Sequence, residues 1–168
     1  MTGSAQSGVK GANDDTSSPP PRNAHDSSVM WSDQRLVGFA PMDHTHEEFY
    51  RVVFDLLTCD DASAAAAMQA LETHAQHHFD EEEQWMNETA FPPRQCHTDE
   101  HAAVMTSVRS VRQALADGRA DATTVRDLAA HLFQWFPGHA DYMDAALANW
   151  MVKRRYGGTP IVVRRATR

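Results

Sequence analysis

His78-Phe79-Asp80-Glu81-Glu82 and, one break in the chain later, His97-Thr98-Asp99-Glu100-His101 decide how this sequence folds. In an α-helix, residues four apart lie one above the other on the same face. The first stretch then presents an imidazole with a carboxylate, and the second presents two imidazoles. Either pair alone is common; one on each of two successive helical segments is not.

The flanking sequence supports helices at both places. Residues 62–86 carry Met68, Leu71, Ala75, His78, Glu82 and Trp85 on one stripe, and an alanine-rich start favours helix. Phe91-Pro92-Pro93 breaks the chain. Residues 97–116 align His97, His101, Val104, Val108, Val111 and Leu115, and end near Gly118. Upstream, residues 43–57 place His46, Phe49, Val53 and Leu56 at steps of three and four. Downstream, residues 122–150 line up Val125, Leu128, Leu132, Trp135, His139, Met143, Ala146 and Trp150. No segment shows sustained alternation. Helices of this length on short connections predict an all-α, up-down antiparallel four-helix bundle.

His46, His78, Glu82, His97, His101 and His139 lie within the apolar stripes, so in a bundle they point at its axis. One inward histidine is most simply a core histidine with a satisfied hydrogen bond. Here all four helices supply at least one, and each left without a partner would cost roughly 1–3 kcal/mol. A shared metal centre accounts for them together. Imidazole and carboxylate without thiolate do not suit a structural zinc site, which closes with four ligands. The set suits two borderline ions with bridging carboxylates, and iron accepts that mixture. Ferritin-like di-iron bundles use Glu-x-x-His, and no glutamate here has histidine three residues later. His139 and Asp144 are five apart, which turns the carboxylate away from the histidine on an ideal α-helix.

These residues resemble the hemerythrin family. Trp31, Leu36-Val37-Gly38 and Met42-Asp43-His44-Thr45-His46 are similar to its opening Trp...Gly...Ile-Asp-x-Gln-His. His78-Phe79-Asp80-Glu81-Glu82-Glu83 resembles its His-Phe-x-x-Glu-Glu, and His97 to His101 its His-x-x-Glu-His. Trp135-Phe136-Pro137-Gly138-His139 through Asp144 resembles its Trp-Leu-x-x-His-x-x-x-x-Asp, which accounts for the spacing of five. The resemblance spans about residues 30–150. It implies two non-heme iron ions, one held by His97, His101 and His139 and the other by His46 and His78. Glu82 and Asp144 would bridge them, together with a solvent-derived oxygen. It further implies reversible dioxygen binding at an open position on the second ion, with no catalysis, in a carrier, store or sensor.

The sequence departs from the family pattern at Thr45, usually Gln, and at Ala140, usually Ile. Pro137, two residues before a ligand, removes the bond to the Phe133 carbonyl and predicts a kink. His74 stands where the family often has Tyr, on the face of His78, either as a hydrogen-bond donor near the site or as an ordinary histidine. Phe49, Phe79 and Trp85 either shield the site from water or are plain core. His25, His44, His77 and His131 read as non-ligands, and Cys59 and Cys96 as reduced thiols, Cys96 structural.

The rest of the chain bounds the function. It has 168 residues, 42% of them hydrophobic, enough for one domain with a core. Residues 1–28 contain almost no large apolar side chains and read as a disordered tail, 29–150 as the bundle, and 151–168 as a basic tail. No apolar run is long enough for a membrane span or a secretory signal, so a cytoplasmic location is expected. The net charge is -8, yet Lys153, Arg154, Arg155, Arg164, Arg165 and Arg168 follow the last acidic residue, Asp144. The remaining 9 basic and 23 acidic residues make a body unsuited to nucleic acid. The tail itself reads as a solvated terminus, as a strap on the acidic bundle, or as a site for an anionic partner. Two rival functions use other parts or other chemistry. One is a di-iron oxidase or peroxidase, or a nitric oxide-binding protein, on the same centre; an enzyme would need His74 or Asp141 as proton donor. The other is an interaction protein that works through its tail.

Overall fold

The computed structural model describes residues 31–158 and Val162. The tail expected over 1–28, and the basic residues Arg164, Arg165 and Arg168, lie outside the described residues. After a 3-10 turn at Asp33–Arg35 come α1 (Ala40–Leu57), α2 (Ala64–Glu88), α3 (Arg94–Ala116) and α4 (Ala122–His139). A π turn, Ala140–Asp144, joins α4 to α5 (Ala145–Tyr156). Backbone angles stay right-handed helical across both junctions, so α4, the π turn and α5 make one rod. With short connections at 58–63, 89–93 and 117–121, the four rods form an up-down antiparallel bundle, and no strand occurs among the described residues.

Local chemistry sets the helix ends. Pro41 occupies the first turn of α1, and the Asp43 carboxylate accepts the Val37 and Gly38 amides at 2.7 and 3.2 Å. Asp121 caps α4 by accepting the Thr124 amide at 3.1 Å. The ends of α2 and α3 share one device. Phe91 N–H reaches Met86 O and Ala90 N–H reaches Asn87 O, while Arg119 N–H reaches Ala114 O and Gly118 N–H reaches Leu115 O. The pivot residue has φ of 67° at Gly118 and 51° at Ala90, where a side chain makes that region costly. Buried Phe91 and Met86 share one apolar cluster and so anchor the turn at Ala90.

The core has two main layers. Phe49, Tyr50, Val53, Leu56, Met68, Leu71, Val108, Val125, Leu132 and Phe136 fill one half of the bundle. Phe39, Met42, Met86, Phe91, Leu147, Ala148, Met151 and Val152 fill the other. The chemistry-bearing residues fall between these layers in sequence on α1, α2 and the fourth rod: His46 between Met42 and Phe49, Glu82 between Leu71 and Met86, His139 and Asp144 between Phe136 and Leu147.

Three sequence expectations change here. Beyond His139 the buried face is not Met143, Ala146 and Trp150. It is Asp144, Leu147, Ala148 and Met151, and Ala146 is exposed. The π turn inserts one residue into the helical repeat, shifting the inward stripe by one position. The helix also runs through Pro137 and leaves α geometry only at Ala140, just after it. The last helix ends at Tyr156 rather than Trp150. Met151 and Val152, assigned to the tail, are core residues at 4% and 8% exposure, and Gly157 with φ of 68° terminates the helix.

Candidate metal centre

All seven residues that the sequence nominated converge on the bundle axis. His46, His78, Glu82, His97, His101, His139 and Asp144 are each at most 5% exposed. Their ligating atoms fall into two groups, within each of which all atoms lie within 4.8 Å of one another. One group is Glu82, His97, His101, His139 and Asp144; the other is His46, His78, Glu82 and Asp144. The two carboxylates belong to both.

Individual oxygens show how they are shared. Glu82 turns Oε1 to His78 Nε2 at 3.1 Å and to His46 Nε2 at 4.0 Å, and Oε2 to His97 at 3.1 Å and His101 at 3.4 Å. Asp144 turns Oδ2 to His46 at 3.2 Å, and Oδ1 to His97 and His139 at 3.1 Å each. Each carboxylate therefore gives one oxygen to each histidine group. His101 Nε2 and His139 Nε2 come within 3.0 Å, two imidazoles aimed at one point.

The π turn explains why Asp144 faces its partners. Five residues on an ideal α-helix advance about 500°, leaving the carboxylate some 140° from His139. In the π turn the bonding runs i to i+5, as from the Ala145 amide to Ala140 O, and one extra residue is absorbed per turn. Asp144 returns to the face of His139. Such turns occur often at functional sites.

The residues fit a metal. Both ring nitrogens of His46 and His97, His78 Nδ1, Glu82 Oε2 and both Asp144 oxygens are buried without a hydrogen-bond partner among the described residues. Their close approaches lack hydrogen-bond geometry, which is the arrangement of donors around a common centre rather than of groups that satisfy one another. Five imidazoles, two carboxylates and no thiolate are the donor set that suits a pair of borderline ions.

As protein groups alone, the carboxylates are balanced by protons. Burial and the neighbouring Asp144 would raise Glu82, but His78 and His97 override them and lower it to about 2. Asp144 is likewise held well below its usual range: burial opposes, while His139, His46 and His97 prevail. For His97, burial is outweighed by the Asp144 and Glu82 carboxylates beside it, and the imidazole rises to about 9. His139 is raised against burial by Asp144 and Glu100. His101 falls to about 3 through burial, with His97 and His139 acting in the same direction. A metal entering the site therefore displaces protons.

The surroundings add residues that sequence reasoning did not single out. His139 Nδ1 donates to Glu100 Oε2 at 3.0 Å, which leaves Nε2 free to ligate. Glu100 stood within the recognised motif, but nothing local told that it crosses from α3 to α4. Phe136 packs edge-on against His46 with ring centroids 5.0 Å apart and stacks on Phe49 at 4.2 Å. Its position one turn before His139 was the available signal. Phe79 stacks on His101 at 3.8 Å, and Trp135 lies against His139 at 4.5 Å. Trp85 instead meets Phe39 at 5.2 Å in the second apolar layer, which removes it from the expected shield.

The other nominated residues separate clearly. His74 is partly buried, its ring 5.9 Å from His78 and 6.3 Å from Phe49, and burial with nearby His78 pushes it down to about 4. Asp141 is exposed and lines a surface pocket of about 290 Å³ with Arg35, Tyr50 and Phe136. His44 and His77 pair with Glu48 and Glu81 on the surface, and His131 Nδ1 bonds Asp127 O. His25 lies outside the described residues. Cys59 is buried, but Cys96 is exposed and so is not part of the core; neither forms a disulfide. Among the described residues no helix is long and apolar enough to cross a membrane.

Known proteins give the same answer as the geometry. The family model described as hemerythrin HHE cation binding domain matches residues 37–151. A protein named bacteriohemerythrin from Ralstonia nicotianae is 34% identical over 126 residues, covering 75% of this chain and 90% of its own. A crystal structure of a hemerythrin with one leucine replaced by tyrosine superposes with a TM-score of 0.64 at 18% identity, covering 70% of this chain and 95% of that one. A second crystal structure, of a leucine-to-phenylalanine mutant, gives 0.64 at 19% identity with the same coverage. The match of the family model across residues 37–151 and the 34% identity over 126 residues make this chain a member of the hemerythrin family.

Proposed function

We propose that the chain holds two non-heme iron ions on the bundle axis and binds dioxygen reversibly at one of them, as a carrier, store or sensor. The observation that carries this reading is the unequal division of five histidines, three and two, around two shared carboxylates. His97, His101 and His139 with one oxygen each from Glu82 and Asp144 would hold one ion, and His46 and His78 with the other two oxygens would hold the second. The second ion, with one protein donor fewer, would be the one with room for an exogenous ligand. When bound, two ferrous ions supply the pair of electrons that dioxygen binding draws on and that its release returns.

The protein's part is to hold and to exclude. Glu100 fixes the His139 ring, and the π turn presents Asp144. Phe49 and Phe136 wall the two-histidine end with apolar rings, limiting the water and protons that would strip the ligand away. Binding is favoured over oxidase or peroxidase chemistry because Asp141 is exposed on the outer face and buried His74, pushed down to about 4, is not protonated near neutral pH. The name of the Ralstonia relative agrees with this reading.

The test is anaerobic reconstitution with ferrous iron, followed by cycles of air and argon. Close to two irons per chain and a spectrum that appears in air and vanishes under argon are expected. One tightly held zinc with no iron uptake, or direct and irreversible passage to the ferric form, would overturn the proposal.

A further inference from the structure

We propose that His74 is the hydrogen-bond donor for the exogenous ligand at the two-histidine ion, setting that ligand's affinity and residence. This inference rests on the reading of the site as a ligand-binding di-iron centre.

His74 lies one turn before His78 on α2, on the same face. Its ring sits 5.9 Å from that of His78 and 6.3 Å from Phe49. Phe49 in turn stacks on Phe136, which packs against both His46 at 5.0 Å and His78 at 6.3 Å. Phe136 thus lies against both imidazoles that would hold the less-filled ion, His74 lies beside one of them, and Phe49 packs behind the two. Among these three walls His74 alone carries a polar atom.

That atom is isolated. His74 Nε2 is cut off from solvent and has no hydrogen-bond partner among the described residues. A core histidine ordinarily meets a carbonyl, carboxylate or hydroxyl, because an unmatched buried polar group is costly. Leucine or phenylalanine would pack here without that cost. As a neutral imidazole with its proton on Nε2, His74 offers an N–H to whatever arrives with a lone pair. The ligand class this suits is a small molecule or anion of two or three atoms, bound to iron at one end and accepting from His74 at the other.

Azide serves as the probe on the diferric protein, in the parent, in His74→Leu and in His74→Gln, with iron content and the melting temperature of the metal-free chains measured alongside. His74→Leu is expected to keep two irons per chain, to weaken azide roughly tenfold through loss of one charge-assisted hydrogen bond, and to melt no lower than the parent without metal. His74→Gln, which retains an N–H donor, is expected to recover a large part of the affinity. Azide affinity in His74→Leu within twofold of the parent would overturn the inference, as would equal losses in the Leu and Gln variants. A lower metal-free melting temperature in His74→Leu would also overturn it, by showing that the ring supports the fold. If the parent takes up two irons but binds neither azide nor dioxygen, the function proposed above falls and this inference with it; if the parent binds azide and His74→Leu binds it equally well, only the inference falls.

Discussion

Glu100 shows how much one side chain outside the ligand set contributes. Its carboxylate accepts from His139 Nδ1 at 3.0 Å, while the side chain remains 43% exposed. That bond fixes the tautomer and ring orientation of His139 and strengthens it as a donor. Glu100→Gln keeps an acceptor of similar shape but removes the charge. Iron at the three-histidine position should then bind about 10–100-fold more weakly, with little change in metal-free stability because the residue is half in solvent. Iron titration of parent and variant checks this. Equal affinity would reduce Glu100 to a surface residue that happens to lie nearby.

At the scale of the element, the π turn does two things with one inserted residue: it turns Asp144 toward His139, and it moves the inward face of α5 by one position. Both consequences predict the same experiment. Tyr142 is 81% exposed and contributes no core packing. Deleting it should convert the π turn to ordinary α-helix and place the carboxylate four residues from His139. Four residues on an α-helix restore the same face, and α5 keeps Leu147, Ala148 and Met151 inward. The variant should fold and keep the parent's iron content, with a melting temperature at or above the parent's. Inserting an alanine after Tyr142 should instead rotate α5 by about 100° and abolish iron uptake. Metal analysis and circular dichroism separate these outcomes; failure of the deletion variant to take up iron would mean that the turn shapes the site beyond register.

At the scale of the molecule, the end of the bundle and its protons are open to test. Met151 and Val152 are buried in the second apolar layer, so truncation after Trp150 should cost about 3–6 kcal/mol of stability at roughly 1.5–3 kcal/mol for each side chain. Truncation after Gly158 should cost little, and denaturant titrations of the two chains compare them directly. The pH dependence should differ between metal-free and iron-loaded forms. His97 rises from 6.5 to about 9 on folding without metal. Its contribution to stability is present below 6.5 and is lost as pH rises through 9. His101 falls from 6.5 to about 3 and Glu82 from 4.5 to about 2, so their contributions are lost as pH falls toward those values. The metal-free chain should therefore lose melting temperature in both directions. Iron bound as proposed would take the place of the proton on His97, so the iron-loaded chain should lack the alkaline decline between pH 6.5 and 9 and keep the acid one. Parallel alkaline limbs in the two forms would contradict this assignment.

The four helices, their approximate limits, and the seven converging residues were legible before any fold was known. Helical spacing is a local rule, and a histidine or glutamate inside an apolar stripe must face the axis whatever its neighbours are. His78 with Glu82, and His97 with His101, needed nothing more. His139 and Asp144 marked the limit of that reasoning, because an ideal helix separates them and only the π turn reunites them. The same turn misplaced the expected inward face after His139 and hid the core role of Met151 and Val152. The assignment of one oxygen of Glu82 and one of Asp144 to each histidine group, the bond from His139 to Glu100, and the packing of Phe136 on His46 all join different helices. Periodicity reports which face of a helix points inward; the distance between two inward atoms depends on how four rods are rotated and stacked, and tertiary packing alone decides that.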